Sequence, residues 1–347
     1  MRAVRRFFLT AGGMFLAFLG AAVGTVPGAP GPDGGADGNS RVRLLALGDV
    51  NLGRDVGQRI LRGDTLYPFR RVRSLFASAD IVLANLESPL SDQRGVTQHP
   101  ANNLVFTGPP AGAWSLARAG VDVVSTANNH ALDFGLRAHR ETMRHLAEAG
   151  VAFSGTSEDP EHLHRPAVLE RGGIWFAFFS CTGLMNMETD SWKCRVAPAD
   201  TSVLNPLIRT WDGAVDVVVV SYHGGAEYAE GPSGETVAFA RSVMGAGADI
   251  FVGHHPHVPH PVRILPEGVA AYSLGNFVFH QPFGFWTQRS FALRVTVEKT
   301  PGGTVIASTE CIPVRAGLQP EVEEGEEMRN AILRRIEAHP PIIAWRP

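Results

Sequence analysis

The chain has 347 residues, of which 44% are hydrophobic and 19% are charged, and it carries a formal net charge of −3. This length and apolar content support one large folded domain or two smaller ones and exclude a chain that is disordered overall. The charge excludes the basic surface of a typical nucleic-acid-binding protein, so we expect no nucleic-acid partner.

The first residues predict an export signal over 1–24. The stretch MRAVRRFFLTAGGMFLAFLGAAVG joins a basic start to an apolar run that is short and glycine-rich for a permanent membrane span. Within it, the segment RRFFL that begins at Arg5 is similar to the twin-arginine export motif, and an ordinary secretory signal is the alternative. We expect an exported protein that is periplasmic, extracellular or anchored to the membrane through an uncleaved N-terminal segment.

The rest of the chain divides by composition into a linker, a main domain and a tail. Residues 25–40 are rich in glycine, proline and aspartate, which predicts a flexible linker. Residues 41–319 are the predicted main domain, and residues 320–347 are a predicted C-terminal helical tail. Cys181 and Cys194 lie close enough in sequence to close a short disulfide loop, but spacing alone does not establish their pairing.

From residue 42 onward, short apolar runs alternate with helical stretches. Buried strands are predicted at 42–49, 80–87, 121–130, 215–225, 248–255 and 269–276. Helices are predicted at 110–119, 135–149, 202–211 and 233–246. The segments 290–298 and 303–314 alternate apolar with polar residues, as half-exposed antiparallel strands do. The whole pattern predicts an α/β fold with mixed sheets.

Ligand-type side chains follow five of the predicted strands. They are Asp49, Glu87, the group Asn128–His130, His223 and the group His254–His257. Because loops at the carboxyl ends of strands converge in open α/β sheets, we expect these side chains to meet. The stretch VGHHPHVPH at 252–260 alone holds four of the thirteen histidines, for which a polar surface loop is the alternative interpretation. Turn chemistry does not explain such residues at five separate strand ends, so we predict a metal centre.

Six short motifs together resemble one known family. They are GDVNLGR (48–54), NLESPL (85–90), ANNHALDFG (127–135), HGGAEY (223–228), GHHPHV (253–258) and SLGNFVF (273–279). In this order they resemble the CapA family of poly-gamma-glutamate capsule synthesis proteins, which is similar in turn to the calcineurin-like metallophosphoesterases. The resemblance implies two packed mixed β-sheets flanked by helices, as a four-layer sandwich, with a metal centre at one edge.

The resemblance also implies a role for each matching residue. The implied metal ligands are Asp49, Glu87 as a bridge between two ions, Asn129, His223, His255 and His257. The two divalent ions are expected to be manganese, zinc or iron, because oxygen and imidazole donors without thiolates suit these metals. His254 is the additional histidine, expected behind the ligands or at the surface. Asn51 lies where phosphoesterases of this fold carry a metal-binding histidine.

Other residues are assigned from their neighbours in these motifs. We predict that His130 is the catalytic acid and that Asp133 orients it or caps the next helix. We predict substrate contacts for Arg54, Glu227 and Tyr228. The remaining histidines, His139 and His145 among them, are expected to be exposed to solvent.

The function that the resemblance implies is an exported metal-dependent hydrolase of capsule or cell-envelope polymer metabolism, with metal-activated water as its nucleophile. Its substrate would be an anionic polymer of the poly-gamma-glutamate type or a phosphoester. A non-catalytic subunit that binds an anionic polymer for a membrane-bound synthase or exporter is the alternative hypothesis.

Overall fold

Two β-sheets pack face to face in the computed structural model, which describes residues 40–187 and 189–337. The predicted signal at 1–24 and most of the predicted linker lie outside these residues. No helix in the described ranges is long and apolar enough to span a membrane.

The larger sheet has eight strands. Its strands are β1 (Ser40–Val50), β2 (Ile81–Leu86), β5 (Val123–Ser125), β6 (Ala152–Ser154), β13 (Asn276–Val278), β14 (Arg289–Thr300), β15 (Gly303–Arg315) and β16 (Glu321–Val322). Their order is β16-β15-β14-β1-β2-β5-β6, and β13 pairs with β1. The strands β1, β2, β5 and β6 run parallel, whereas β14 and β15 add antiparallel pairs.

The smaller sheet has six strands in the order β11-β12-β10-β9-β8-β7. These strands are β7 (Ala167–Arg171), β8 (Ile174–Thr182), β9 (Val217–His223), β10 (Ile250–His254), β11 (Val262–Leu265) and β12 (Gly268–Ala271). A separate hairpin consists of β3 (Gln98–His99) and β4 (Asn102–Phe106). Both large sheets are therefore mixed, as predicted.

Helices cover the outer faces of the two sheets, except for the last helix, whose Ile332 and Ile336 enter the core between the sheets. The helices are α1 (Arg54–Leu61), α2 (Arg73–Phe76), α3 (Ala111–Ala119), α4 (Gly135–Ala149), α5 (Thr201–Asp212), α6 (Gly234–Gly245) and α7 (Glu326–Glu337). Short 3-10 helices span Tyr67–Val72, Pro160–His162, Asp190–Cys194 and Trp286–Gln288. The four helices predicted from sequence are present within one residue at each end, because capping residues such as Ser233 and Gly150 mark their ends.

Alternate residues of the central strands enter different hydrophobic cores. In β1, Leu44 faces the core between the sheets, whereas Leu45 faces the core beneath α1–α4. In β9, Val219 faces the space between the sheets and Val220 faces α5 and α6. This period of two gives the helix–sheet–sheet–helix layering and explains why the strands read as continuous apolar runs. The predicted two-sheet fold is confirmed.

The predicted strand 269–276 is divided between the sheets. Residues up to Ala271 pair with β10 in the smaller sheet, whereas Asn276 pairs with Asp49 in the larger sheet. The chain crosses between them at Gly275, whose φ of 75° favours glycine. The Gly275 carbonyl accepts a hydrogen bond from the Asp49 N–H and lies so near Gly48 that a Cβ there would be 2.0 Å from it. This crossing brings two strand ends together.

Two details differ from the sequence-based expectations, and the structure bears on a third that the sequence left open. The strand predicted at 121–130 ends at Ser125, so the Asn-Asn-His motif lies in a turn. His139 is buried rather than exposed, because it lies on the stripe of α4 that also carries Thr142 and Leu146. Within residues 40–187 and 189–337, Cys181 and Cys194 form no disulfide, and Cys181 is buried in β8.

Candidate metal centre

The candidate site lies where the carboxyl ends of strands from both sheets meet. Asp49 lies near the end of β1, Glu87 follows β2, and His223 ends β9. Asn85 in β2 joins the sheets, since its Nδ2 lies 2.8 Å from Oδ1 of Asp49 and 3.2 Å from Nδ1 of His223. Ligand-type side chains from distant parts of the sequence therefore share one small volume.

Glu87 is at the centre of this cluster. Its side chain is wholly buried, and neither carboxylate oxygen has a hydrogen-bond partner among the residues that the structure describes. Its Oε1 lies 3.7 Å from Nε2 of His223, 3.8 Å from Nε2 of His257 and 3.9 Å from Nε2 of His130. Burial, together with the nearby Asp49 carboxylate, raises the pKa of Glu87 well above its usual value. A buried carboxylate without donors, surrounded by imidazoles, is the environment that a cation satisfies.

Two ligand groups share Glu87. The first is Glu87, His223 and His255, and the second is Asp49, Glu87 and His257; in each group the ligand atoms lie within 4.8 Å of one another. Burial, and next the charge of His255, lower the pKa of His223 well below its usual value. Burial, and next the charge of His257, lower the pKa of His255 to about 3. Neutral imidazoles with available lone pairs are the form of histidine that binds metal, so the residues present fit divalent cations.

Asn129 and Asp49 complete the set of six predicted ligands. The Asn129 Oδ1 lies 2.7 Å from Nε2 of His223, which places the amide oxygen at the first ligand group. Burial alone raises the pKa of Asp49, but hydrogen bonds with His254 and His257 outweigh burial and hold that pKa well below its usual value. The structure thus brings all six side chains together; that they bind metal stays a prediction.

The loop that carries the paired histidines has an unusual backbone. His255 has a φ of 93° and His257 a φ of 59°, in the left-handed region that side chains other than glycine rarely adopt. His257 Nδ1 lies 2.9 Å from Oδ1 of Asn276, which fixes the ring. Such strained residues cluster at functional sites, where the surrounding contacts hold them in place. This backbone conformation directs both imidazoles toward Glu87.

His254 lies behind this set and not at the surface. It is wholly buried, and its Nδ1 is 3.2 Å from Oδ1 of Asp49. Asn51 is also buried, and its Oδ1 accepts a hydrogen bond of 2.7 Å from the Gly53 N–H. Asn51 therefore shapes the turn after β1, whereas His254 supports a predicted ligand.

His130 forms a pair with Asp133 at the edge of the cluster. Its Nδ1 lies 2.8 Å from Oδ2 of Asp133, and the same oxygen accepts a hydrogen bond from the Phe106 N–H. The Asp133 side chain thus orients His130, and α4 begins at Gly135 with no side-chain cap from Phe134 before it. The imidazole stacks on the Phe106 ring at 4.2 Å between centroids, which leaves Nε2 directed toward Glu87.

The three predicted substrate contacts surround the cluster. The Arg54 guanidinium lies 4.6 Å from the centroid of Phe106 and donates a hydrogen bond to the Asn103 carbonyl. Glu227 is exposed, and one of its oxygens lies within 4.8 Å of ring nitrogens of His255 and His257. This makes Glu227 a further candidate ligand by geometry. Tyr228 has its ring 6.1 Å from that of His257.

A cavity of about 310 Å³ opens beside His130. Amide, thioether and aliphatic side chains form most of its wall, and Asp133 and Glu227 are the acidic groups in it. The lining residues are Asn102, Leu104, Val105, Asn129, His130, Leu132, Asp133, Met185, Asn186, Met187 and Glu227. The cavity has room for part of a substrate next to the cluster.

Two residues that sequence reasoning missed hold the site together. Asn85 joins Asp49 to His223, and Asn276 connects His257 to the Gln281 side chain and the Thr287 carbonyl. Both asparagines occur within the quoted motifs, so a polar residue inside a buried strand was the available signal.

Comparisons with known proteins show similar chains in capsule synthesis. The chain is 28% identical to "Capsule biosynthesis protein CapA" of Bacillus anthracis, over 86% of this chain and 73% of that protein. It is 28% identical to "PGA biosynthesis protein CapA" of Bacillus subtilis, over 84% of this chain and 76% of that protein. It is 27% identical to "Probable polyglutamine synthesis accessory protein MT0602" of Mycobacterium tuberculosis, over 83% and 82%.

One solved structure that aligns is the calcineurin-like phosphoesterase YfkN from Bacillus subtilis, with a TM-score of 0.46 and 14% identity over 86% of this chain and 97% of that one. The model of the family described as "Bacterial capsule synthesis protein PGA_cap" matches residues 43–281. The matched region contains every predicted ligand and the His130–Asp133 pair. The chain is a member of this bacterial capsule synthesis family, to which the CapA proteins belong.

Proposed function

We propose that this protein is an exported, metal-dependent hydrolase that acts on an anionic envelope polymer of the poly-gamma-glutamate type. The observation that carries the proposal is the Glu87 carboxylate, buried without a donor among three histidines. Membership of the capsule synthesis family supports the polymer class.

The donor set defines how cations would be held. Glu87, His223, His255 and Asn129 would hold one cation, and Asp49, Glu87 and His257 a second. When bound, a divalent cation supplies Lewis-acid polarisation of oxygen and lowers the pKa of water. Carboxylate, amide and imidazole donors without a thiolate suit manganese, zinc or iron.

The His130–Asp133 pair would deliver a proton to the departing group. Asp133 engages Nδ1, so Nε2 is the nitrogen that faces the cleft. Stacking on Phe106 fixes the plane of the ring. In amide cleavage the departing group is an amine, and in phosphoester cleavage it is an alcohol; both need a proton at this point.

The cavity beside His130 supports the proposed cleavage, because it can hold part of a substrate next to the candidate metal centre. It opens on Asn129 and His130, so a group held there would lie next to the proton donor. Glu227, at the mouth, is placed to meet an amine released from an amide. Cleavage of a phosphate ester releases an anion and a neutral alcohol, neither of which would pair with Glu227. This arrangement therefore favours an amide polymer over a phosphate ester.

A non-catalytic role beside a membrane-bound synthase is the second candidate. The word "accessory" in the name of the Mycobacterium tuberculosis relative is the observation that favours it. In that role the same cleft would hold the polymer without cleaving it.

Purified protein separates the two candidates. We expect that protein reloaded with manganese or zinc shortens poly-gamma-glutamate or hydrolyses bis(p-nitrophenyl) phosphate, and that His130→Ala retains its metal while losing turnover. Binding of poly-gamma-glutamate without turnover of either substrate, under each metal, would instead establish the accessory role.

A further inference from the structure

An exposed aromatic group lies beside the candidate metal centre. Tyr228, Phe283 and Phe285 have 41%, 71% and 54% of their surfaces accessible to solvent. We call these three residues the aromatic track. The Tyr228 and Phe283 rings meet edge to face at 5.5 Å, and Phe285 lies two residues further along the same loop. Large aromatic side chains exposed together mark a binding surface more often than single ones do.

The loop that carries Phe283 and Phe285 is held in place from beneath. Thr287 donates through its hydroxyl to the Gln281 and Gly284 carbonyls, which closes the loop on itself. Asn276 donates through Nδ2 to Oε1 of Gln281 at 2.9 Å and to the Thr287 carbonyl at 2.9 Å. The two phenyl rings are therefore exposed from a fixed backbone, which lowers the ordering cost of binding.

The aromatic track is continuous with the site. Tyr228 packs near His257, and its backbone N–H donates to the Pro256 carbonyl at 2.9 Å, within the loop of the paired histidines. Asn276 also contacts His257 through Oδ1. A chain lying on the track would thus enter the cleft next to the predicted ligands.

The far end of the track carries a positive charge. The Arg289 guanidinium lies 4.1 Å from the centroid of the Phe285 ring and donates to the Phe285 carbonyl. Within the described part of the chain, no carboxylate lies within 4.0 Å of it. The cavity beside His130 includes no lysine or arginine in its wall, and it shares the acidic Glu227 with the Tyr228 end of the track. An anionic chain is therefore attracted to the Phe285 end of the track and not to the cavity.

We propose that the aromatic track binds the extended chain of an anionic amide polymer and guides it to the cleft. The aromatic faces would pack against the methylene and amide groups of the polymer, and Arg289 would pair with its carboxylates. The proposal rests on the polymer class of the proposed function, but it requires binding alone and holds whether or not the polymer is cleaved.

The test measures the affinity for fluorescent poly-gamma-glutamate by anisotropy. We expect Phe283→Ala/Phe285→Ala to bind about tenfold more weakly than wild type, since two aromatic contacts of about 0.7 kcal/mol each give that factor. Arg289→Gln should also bind more weakly, with a smaller dependence on salt. The matched control is Trp175→Ala. Trp175 is an exposed aromatic residue near the start of β8, whereas the other end of β8 pairs with His223, so this variant should bind as wild type does.

Metal content and the thermal unfolding midpoint should match wild type in all these variants, because Phe283, Phe285 and Trp175 are exposed and Arg289 is only half-buried. Unchanged polymer affinity in the double variant overturns the proposal. Binding to phosphatidylglycerol vesicles that the double variant loses, with polymer affinity intact, overturns it in favour of a lipid surface. If no metal supports turnover but polymer affinity still depends on the track, the hydrolase assignment fails and the track stands.

Discussion

Nδ1 of His254 lies 3.2 Å from Oδ1 of Asp49, and both side chains are wholly buried. The adjacent His255 instead lies in the group with Glu87 and His223. Two neighbouring histidines therefore contact different parts of the same cluster, one as support for Asp49 and the other as a candidate ligand.

This difference predicts two phenotypes. His255→Ala should sharply lower the metal content, because it removes a donor from the group that contains Glu87 and His223. His254→Ala should retain metal and lose roughly 10–100-fold in affinity at most, as supporting residues do. Elemental analysis with metal titration measures both. If His255→Ala retained metal and His254→Ala lost it, His254 would be the ligand and His255 the supporting residue.

The backbone at His255 offers a control for strain. Its φ of 93° suits glycine, so His255→Gly should be more stable to unfolding than His255→Ala by about 1 kcal/mol. Both variants should bind equally little metal. If instead only the alanine variant loses metal, the loss reports backbone distortion and not a missing ligand.

A second prediction concerns the His130–Asp133 pair. His130→Ala should keep its metal and lower turnover by about 10²–10⁴, the range typical of general acid catalysis. Asp133→Asn should lower turnover less, because the imidazole remains while its orienting carboxylate is lost. Steady-state rates on poly-gamma-glutamate or bis(p-nitrophenyl) phosphate, with metal content measured in parallel, provide the test. Loss of metal from His130→Ala would make His130 a ligand.

A third prediction uses the buried His139. Burial lowers its pKa below the usual value, so below about pH 6.5 the unfolded chain binds a proton that the folded chain does not. This contribution to stability is present above pH 6.5 and is lost as the pH falls, by at most about 1.4 kcal/mol per pH unit. Wild type should therefore lose stability relative to His139→Gln between pH 6.5 and 5. Urea unfolding at several pH values measures the free energy of unfolding of both proteins. The same pH dependence of that free energy in the two proteins would contradict this prediction.

Much of the fold could be predicted from local patterns. The valine-rich run of β9 is buried on both faces, and Gly150 with its φ of 75° ends α4 where the sequence indicated. The sequence could not show that Ala271 and Asn276 belong to different sheets, since the crossing depends on contacts with distant strands. The prediction that His139 is exposed was wrong, because this histidine lies on the buried stripe of α4 that also carries Leu146.

The residues of the site could be predicted from the sequence, but their arrangement in space could not. Ligand types at strand ends indicated which side chains meet, because parallel strands end at one edge. The bridge that Asn85 makes between the sheets depends on how the two sheets pack, which no local pattern encodes. The same applies to Glu227, whose closeness to His255 follows from the course of two loops.

A fourth prediction concerns export, which depends on residues outside those that the structure describes. Replacing Arg5 and Arg6 together by lysine should block export if the twin-arginine route is used, because that route needs the arginine pair and not merely positive charge. Cell fractionation measures the outcome. Normal export of the double variant would leave the ordinary secretory route.

The most direct test of the metal centre is the metal content of protein that has folded in the cell, measured for wild type and for Glu87→Gln. We expect wild type to retain manganese, zinc or iron and to unfold at a lower temperature after chelation, because bound ligand stabilises the folded state. Glu87→Gln should contain little metal, and chelation should not change its unfolding temperature. Wild-type protein that takes up no divalent metal, with an unfolding temperature that chelators leave unchanged, would contradict the account.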